Sequence, residues 1–138
     1  MERKKLNIQV SWAENNFSAG FTDEQIGTVL VTAKTFEKLK NDFEESFKWH
    51  IEGCMEDGDE LPEFIINGQY EIVFDLDVCA LLRYAENYTS MIAISRASGI
   101  NPKQLSHYAN GVKKPRPQQV QKIKDGILFI SAQLKAIC

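Results

Sequence analysis

Apolar and polar residues alternate from the start of the chain, with Leu6, Ile8, Val10 and Trp12 separated by Asn7, Gln9 and Ser11. A period of two predicts a strand with one buried face. Asn15-Asn16 interrupts the run before Phe17, Ala19 and Phe21 resume it, which predicts a hairpin. Gly27 opens a third segment, Thr28-Val29-Leu30-Val31-Thr32, whose branched side chains suit a pleated surface. The period then lengthens, because Phe36, Leu39, Phe43, Phe47 and Ile51 recur at spacings of three and four. This predicts an amphipathic helix from about Thr35 to Gly53, covering the apolar face of the sheet. Asn67-Gly68, between Phe64-Ile65-Ile66 and the alternating Tyr70, Ile72, Phe74 and Leu76, predicts a second hairpin. Residues 1–76 are therefore expected to form a small antiparallel sheet with one covering helix, in the order βββαβ.

From Asp77 onward the pattern is helical throughout. Val78, Ala80, Leu81, Leu82 and Tyr84 predict a short helix, and Glu86-Asn87-Tyr88-Thr89 a break after it. Ser90 is placed to cap a second helix carrying Met91, Ile94 and Ala97 on one face and ending at Ser98-Gly99. Only a short corner follows. Asn101 as cap, Pro102 in the first helical position and Gln104 three residues after the cap predict a third helix that Gly111 terminates. Two short helices about a tight glycine-containing corner predict a helix-turn-helix. Beyond Pro117, Val120, Ile123, Ile127, Ile130, Leu134 and Ile137 step by alternating threes and fours, an a/d seam. Its first two members are expected to pack on the chain's own helices; Ile127, Ile130, Leu134 and Ile137 are read as a dimer interface, with intrachain packing as the alternative. The expected class is α+β, with an all-α region over residues 77–138.

Charge changes the picture when it is counted along the 138 residues and not over them. The total is −3, which by itself argues against nucleic acid. Residues 1–88 carry 8 basic and 18 acidic side chains, net −10, whereas residues 89–138 carry 8 basic and 1 acidic, net +7. A cationic helix-turn-helix points to double-stranded DNA, because phosphate contacts dominate such binding. Lys103, Gln104, His107 and Asn110 share a polar helix face with Ser106 near them; lysine can address guanine or phosphate, and Gln or Asn adenine. Lys113, Lys114 and Arg116 follow in the loop, suited to the DNA backbone, and Ser90 at a helix start is a further backbone contact.

The remaining candidates point to no chemistry. Cys54, Cys79 and Cys138 are odd in number and lack CxxC spacing, so neither a disulfide framework nor a zinc site is expected. His50 lies beside the buried helical stripe and is read as a hydrogen-bonded packing residue, not a general base. Glu56-Asp57-Gly58-Asp59-Glu60 is read as a solvated loop, because a calcium loop would need alternate ligands and a closing glutamate. No metal or cofactor is expected. Apolar runs are too short for a membrane span and no signal-peptide core is visible, so a cytoplasmic location is expected.

Gly99-Ile100-Asn101-Pro102-Lys103-Gln104-Leu105-Ser106-His107-Tyr108-Ala109-Asn110-Gly111, with the following Lys-Lys-Pro-Arg-Pro, resembles the Xre/Cro-like helix-turn-helix family. Met91 departs from that pattern, standing where a glutamine is usual. The first half resembles the HicB antitoxin domain in Ser11-Trp12-Ala13-Glu14-Asn15-Asn16-Phe17-Ser18-Ala19, in Val31-Thr32-Ala33-Lys34-Thr35, and in Phe47-Lys48-Trp49-His50-Ile51-Glu52-Gly53. The resemblance implies a partial ribonuclease H-like fold in the first half. It also implies an antitoxin that binds a small basic, mRNA-cleaving, HicA-like toxin and represses its own operon. No residue is assigned to toxin contact and none is expected to be catalytic. The alternatives are a stand-alone transcriptional regulator whose first domain senses a ligand or only oligomerises, and a metal-dependent nuclease using Asp57, Asp59 and Glu60.

Overall fold

A computed structural model describes residues 2–138, which divide into two compact units, Met1–Asp77 and Val78–Cys138. The class is α+β, with one four-stranded sheet and six helices among the described residues.

In the first unit, strands β1 (Lys4–Ala13), β2 (Asn16–Asp23) and β3 (Gly27–Ala33) form an antiparallel meander. The β1–β2 turn is Glu14-Asn15, both left-handed at φ 53° and 66°, as the twist of a two-residue hairpin requires. Thr35 caps helix α1 (Phe36–Glu56) by accepting from the Lys38 N–H. A four-residue helix α2 (Glu63–Ile66) precedes strand β4 (Tyr70–Leu76). The sheet order is β3-β2-β1-β4, and β4 pairs in parallel with β1 from Lys4↔Tyr70 to Val10↔Leu76.

The sheet is therefore mixed, not antiparallel as the pattern predicted. Strands β3 and β4 run in the same direction, and such a connection needs a crossover of a dozen or more residues, which α1 supplies. The expected hairpin at Asn67-Gly68 is a helix end instead. Pro62 starts α2, Asn67 caps its C-terminus, Gly68 takes φ +67°, and Gln69 N–H bonds back to Phe64 C=O at 2.8 Å. Asn-Gly ends a helix as readily as it turns a hairpin, because both need a left-handed residue. Helix α1 likewise runs one turn past Gly53, its cap being Asp57 with Gly58 at φ +76°.

The core of this unit joins Leu6, Ile8, Val10, Phe17, Ala19 and Val29 of the sheet to Leu39, Phe43, Phe47 and Ile51 of α1. Phe43 stacks on Phe47, and Phe74 meets Phe36 and Phe43 edge-on with centroids 5.9 Å apart. Each fully buried side chain of this size contributes roughly 1.5–3 kcal/mol. His50 of α1 donates from Nε2 to the Ile26 carbonyl and lies against Gly27, where any Cβ would come within 2.7 Å of the ring. The histidine thereby pins the β2–β3 turn to the helix. Asp77 belongs to this unit, since its N–H bonds the Val10 carbonyl at 2.9 Å.

The second unit is all helical: α3 (Val78–Ala85), α4 (Met91–Ser98), α5 (Pro102–Ala109) and α6 (Pro117–Ile137). Val78, Leu82, Ile94, Ile100, Leu105, Tyr108 and Ile123 form its core. Helices α4 and α6 approach closely at Gly126, where an added Cβ would sit 2.9–3.0 Å from the Ser98 N, Cα and Cβ. Only glycine fits there.

Candidate nucleic-acid interface

The corner between α4 and α5 is locked by short-range polar contacts. Ser90 Oγ accepts from Ala93 N–H, so this side chain is committed to capping α4. Gly99 ends α4 in the left-handed conformation at φ 76°. Ser95 Oγ then donates to the Ile100 carbonyl at 2.6 Å, and Ser98 Oγ accepts from Ile100 N–H at 3.3 Å. Asn101 Oδ1 accepts from Gln104 N–H at 2.8 Å and starts α5. The reciprocal half of a capping box is not made. Gln104 Nε2 instead donates to the Tyr108 hydroxyl at 2.9 Å.

At 100° per residue, Ile100, Leu105, Tyr108 and Ala109 take the buried side of this region. Opposite them, Lys103, Ser106 and Asn110 are exposed and His107 is half-buried. Gln104 falls at the flank of this ridge, half-buried beside Tyr108. Asn110 is also engaged: its Oδ1 accepts from Arg83 Nη2 of α3, and its Nδ2 donates to Ser106 Oγ at 3.3 Å. The side chains best placed to reach outward are thus Lys103 and His107, with Ser106 and Asn110 held between them.

Past Gly111, at φ +71°, the chain folds back on α5, with Val112 N–H bonding the His107 carbonyl at 2.9 Å. Lys113, Lys114 and Arg116 are all exposed on this loop. Among the described residues none of them, nor Lys103, is in an ion pair. Residues 78–138 hold nine basic and two acidic side chains, net +7. Such a surface can neutralise phosphates while a polar helix face meets base edges.

The seam of α6 divides differently from the expectation. Ile123 is fully buried, and Ile127 and Ile130 are partly buried against the unit's own core. Leu134 and Ile137 are 53% and 81% exposed, as are Leu128 at 65% and Phe129 at 56%. Ile127, Ile130 and Leu134 form one wall of an open apolar groove of about 390 Å³, whose other wall is Leu81, Tyr84 and Tyr88. Sequence reading missed this groove, because α3 gives no sign of what faces it.

Two other candidates resolve plainly. Asp57, Asp59 and Glu60 are exposed, and among the described residues no three His, Cys, Asp or Glu side chains come together to hold a metal ion. Cys54 lies one helical turn after His50, with Sγ 3.6 Å from Nε2. Burial, then the charge of nearby Asp59, pushes its thiol pKa above the ordinary 9.0, opposite to what a nucleophilic cysteine needs. Among the described residues no helix is long and apolar enough to cross a membrane. No family model, curated protein or solved structure matches the chain.

Proposed function

We propose that the protein is a DNA-binding antitoxin and autorepressor with no enzymatic activity. The observation that carries the DNA-binding half is the α4–corner–α5 arrangement, with its outward Lys103 and His107 followed by Lys113, Lys114 and Arg116, none of them in an ion pair, on a unit of net +7. In this reading residues 78–138 act as a helix-turn-helix domain, α5 enters the major groove, and the loop cations clamp the flanking phosphates. The exposed end of α6 joins two copies, spacing two α5 helices about 34 Å apart over a near-palindromic operator.

The toxin-binding half rests on the acidic first unit and on the resemblance of residues 11–19, 31–35 and 47–53 to HicB antitoxins, whose first domain is partly ribonuclease H-like. Residues 1–77 carry 7 basic and 17 acidic side chains, net −10. Such a surface steers a small basic protein towards itself and masks that protein's RNA-binding cations. In this reading the protein works in the bacterial cytoplasm.

Gel shifts with the DNA upstream of the protein's own reading frame test the first half. Binding equal to that of unrelated DNA at every salt concentration refutes operator recognition. Titrating the protein into the product of the adjacent reading frame, with RNA cleavage as readout, tests the second. Cleavage that persists at excess protein refutes it.

A further inference from the structure

Strand β3 is an edge of the sheet with its outer backbone edge unpaired among the described residues. Edge strands are ordinarily protected by a lysine, a proline, a bulge or a covering element. Gly27–Ala33 has none of the first two: the segment is uncharged, lacks proline, and is rich in branched residues. On the face of the sheet away from α1, Ser11 bonds Ser18 and Thr22 bonds Thr28, and Thr32 is also polar. At the β3 edge Leu30 interrupts that polar surface, 70% exposed and leaning over Gly20.

Residues 28–32 read Thr-Val-Leu-Val-Thr, the same in both directions. An isologous contact about a twofold axis sets residue i against j and j against i, so in an antiparallel pair a palindrome faces its own residue types. We infer that β3 pairs antiparallel with β3 of a second copy, with Leu30 on the axis, joining two four-stranded sheets into one of eight. Leu30 then stands opposite Leu30, Thr28 opposite Thr32 and Val29 opposite Val31, each residue facing its chemical equal. Charge agrees with the direction. The exposed Lys34 just beyond one end of the strand is brought towards exposed Asp23 and Glu24, which precede the other end in the second copy. A parallel arrangement would set like charge against like. The inference concerns the first unit alone and is independent of the DNA-binding reading and of the α6 contact.

Cross-linking of the full chain in a Cys138→Ser background tests the register. Directly opposed residues have Cα atoms about 4.5–5.5 Å apart, within disulfide reach. Leu30→Cys, on the axis, is expected to form a covalent dimer under diamide at least about tenfold faster than Thr28→Cys or Thr32→Cys alone. Mixing the Thr28→Cys and Thr32→Cys chains should restore the fast rate. Equal rates for all single variants, or no dimer from Leu30→Cys, overturn the inference. Leu30→Lys, at an exposed position that need not disturb the fold, places like charges on the axis and is expected to halve the mass measured by light scattering. The measurement is made in a Leu134→Glu background, which removes the α6 contact; an unchanged mass there overturns the pairing.

Discussion

Gly126 and Gly53 both lie inside 21-residue helices, yet the structure assigns them opposite responses to alanine. Alanine is favoured over glycine in a helix interior by about 0.5–1 kcal/mol. At Gly53 an added Cβ meets nothing within 4 Å, so Gly53→Ala should stabilise the first unit by that amount. At Gly126 the same methyl group lies 2.9–3.0 Å from Ser98 N, Cα and Cβ, so a backbone and not a side-chain tip must yield. Overpacking of this kind costs about 1–3 kcal/mol. Less the propensity gain, Gly126→Ala should destabilise the second unit by about 1 kcal/mol, or roughly 4–8 °C in Tm for a domain of 60–100 residues. The two tryptophans, Trp12 and Trp49, lie in the first unit, so their fluorescence follows that unit while far-UV circular dichroism follows both. The expected result is a raised fluorescence midpoint for Gly53→Ala and a lowered circular-dichroism midpoint for Gly126→Ala. A Gly126→Ala protein that melts higher than wild type would refute the close approach of α4 and α6.

Lys103→Ala should weaken operator binding by about 1–3 kcal/mol while leaving non-specific binding nearly intact, read from gel shifts against cognate and scrambled DNA. Lys114→Ala should weaken binding to both and reduce the slope of log affinity against log salt by about one. Leu134→Glu, at an exposed apolar seam position, should lower the mass in light scattering and weaken binding to a two-site operator more than to a half-site; equal affinities would refute the α6 contact. Burial raises the Tyr70 phenol above its ordinary 10.0, so folding favours the protonated ring. That contribution is complete below the unfolded pKa and is lost as pH rises through the folded one. Tyr70→Phe should accordingly lose less stability than wild type as pH rises above about 10, followed by urea denaturation.

The elements that alternation and helical spacing describe were readable in the chain because burial alone decides them. Leu6, Ile8 and Val10 face inward, and Leu39, Phe43, Phe47 and Ile51 cover them. What was not readable depended on residues with two uses. Asn67-Gly68 serves a turn or a helix end, and only the direction of β4 chooses between them. Gly53 suggests a helix stop, yet three more helical residues follow because Gly58 supplies the left-handed position. Gln104 has the spacing of a capping box, but Tyr108 one turn later offers it another partner. In the candidate interface, the polar face of α5 follows from spacing. The clamp of Asn110 by Arg83 does not, since 27 positions separate the two residues.

The parallel pairing of β1 with β4 has a consequence for the order of events during synthesis. The hairpin partner of β1 follows it immediately, but its other neighbour begins only at Tyr70. At about 5–20 residues per second, the ribosome needs roughly 3–13 s to carry the chain from the end of β1 to the end of β4. Throughout that interval one side of a strand bearing Leu6, Ile8 and Val10 has no neighbour, and contacts of such long sequence separation are also the slow ones to form. The nascent chain is therefore most vulnerable to aggregation before residue 76 emerges, and the helical unit that follows is made after that danger has passed.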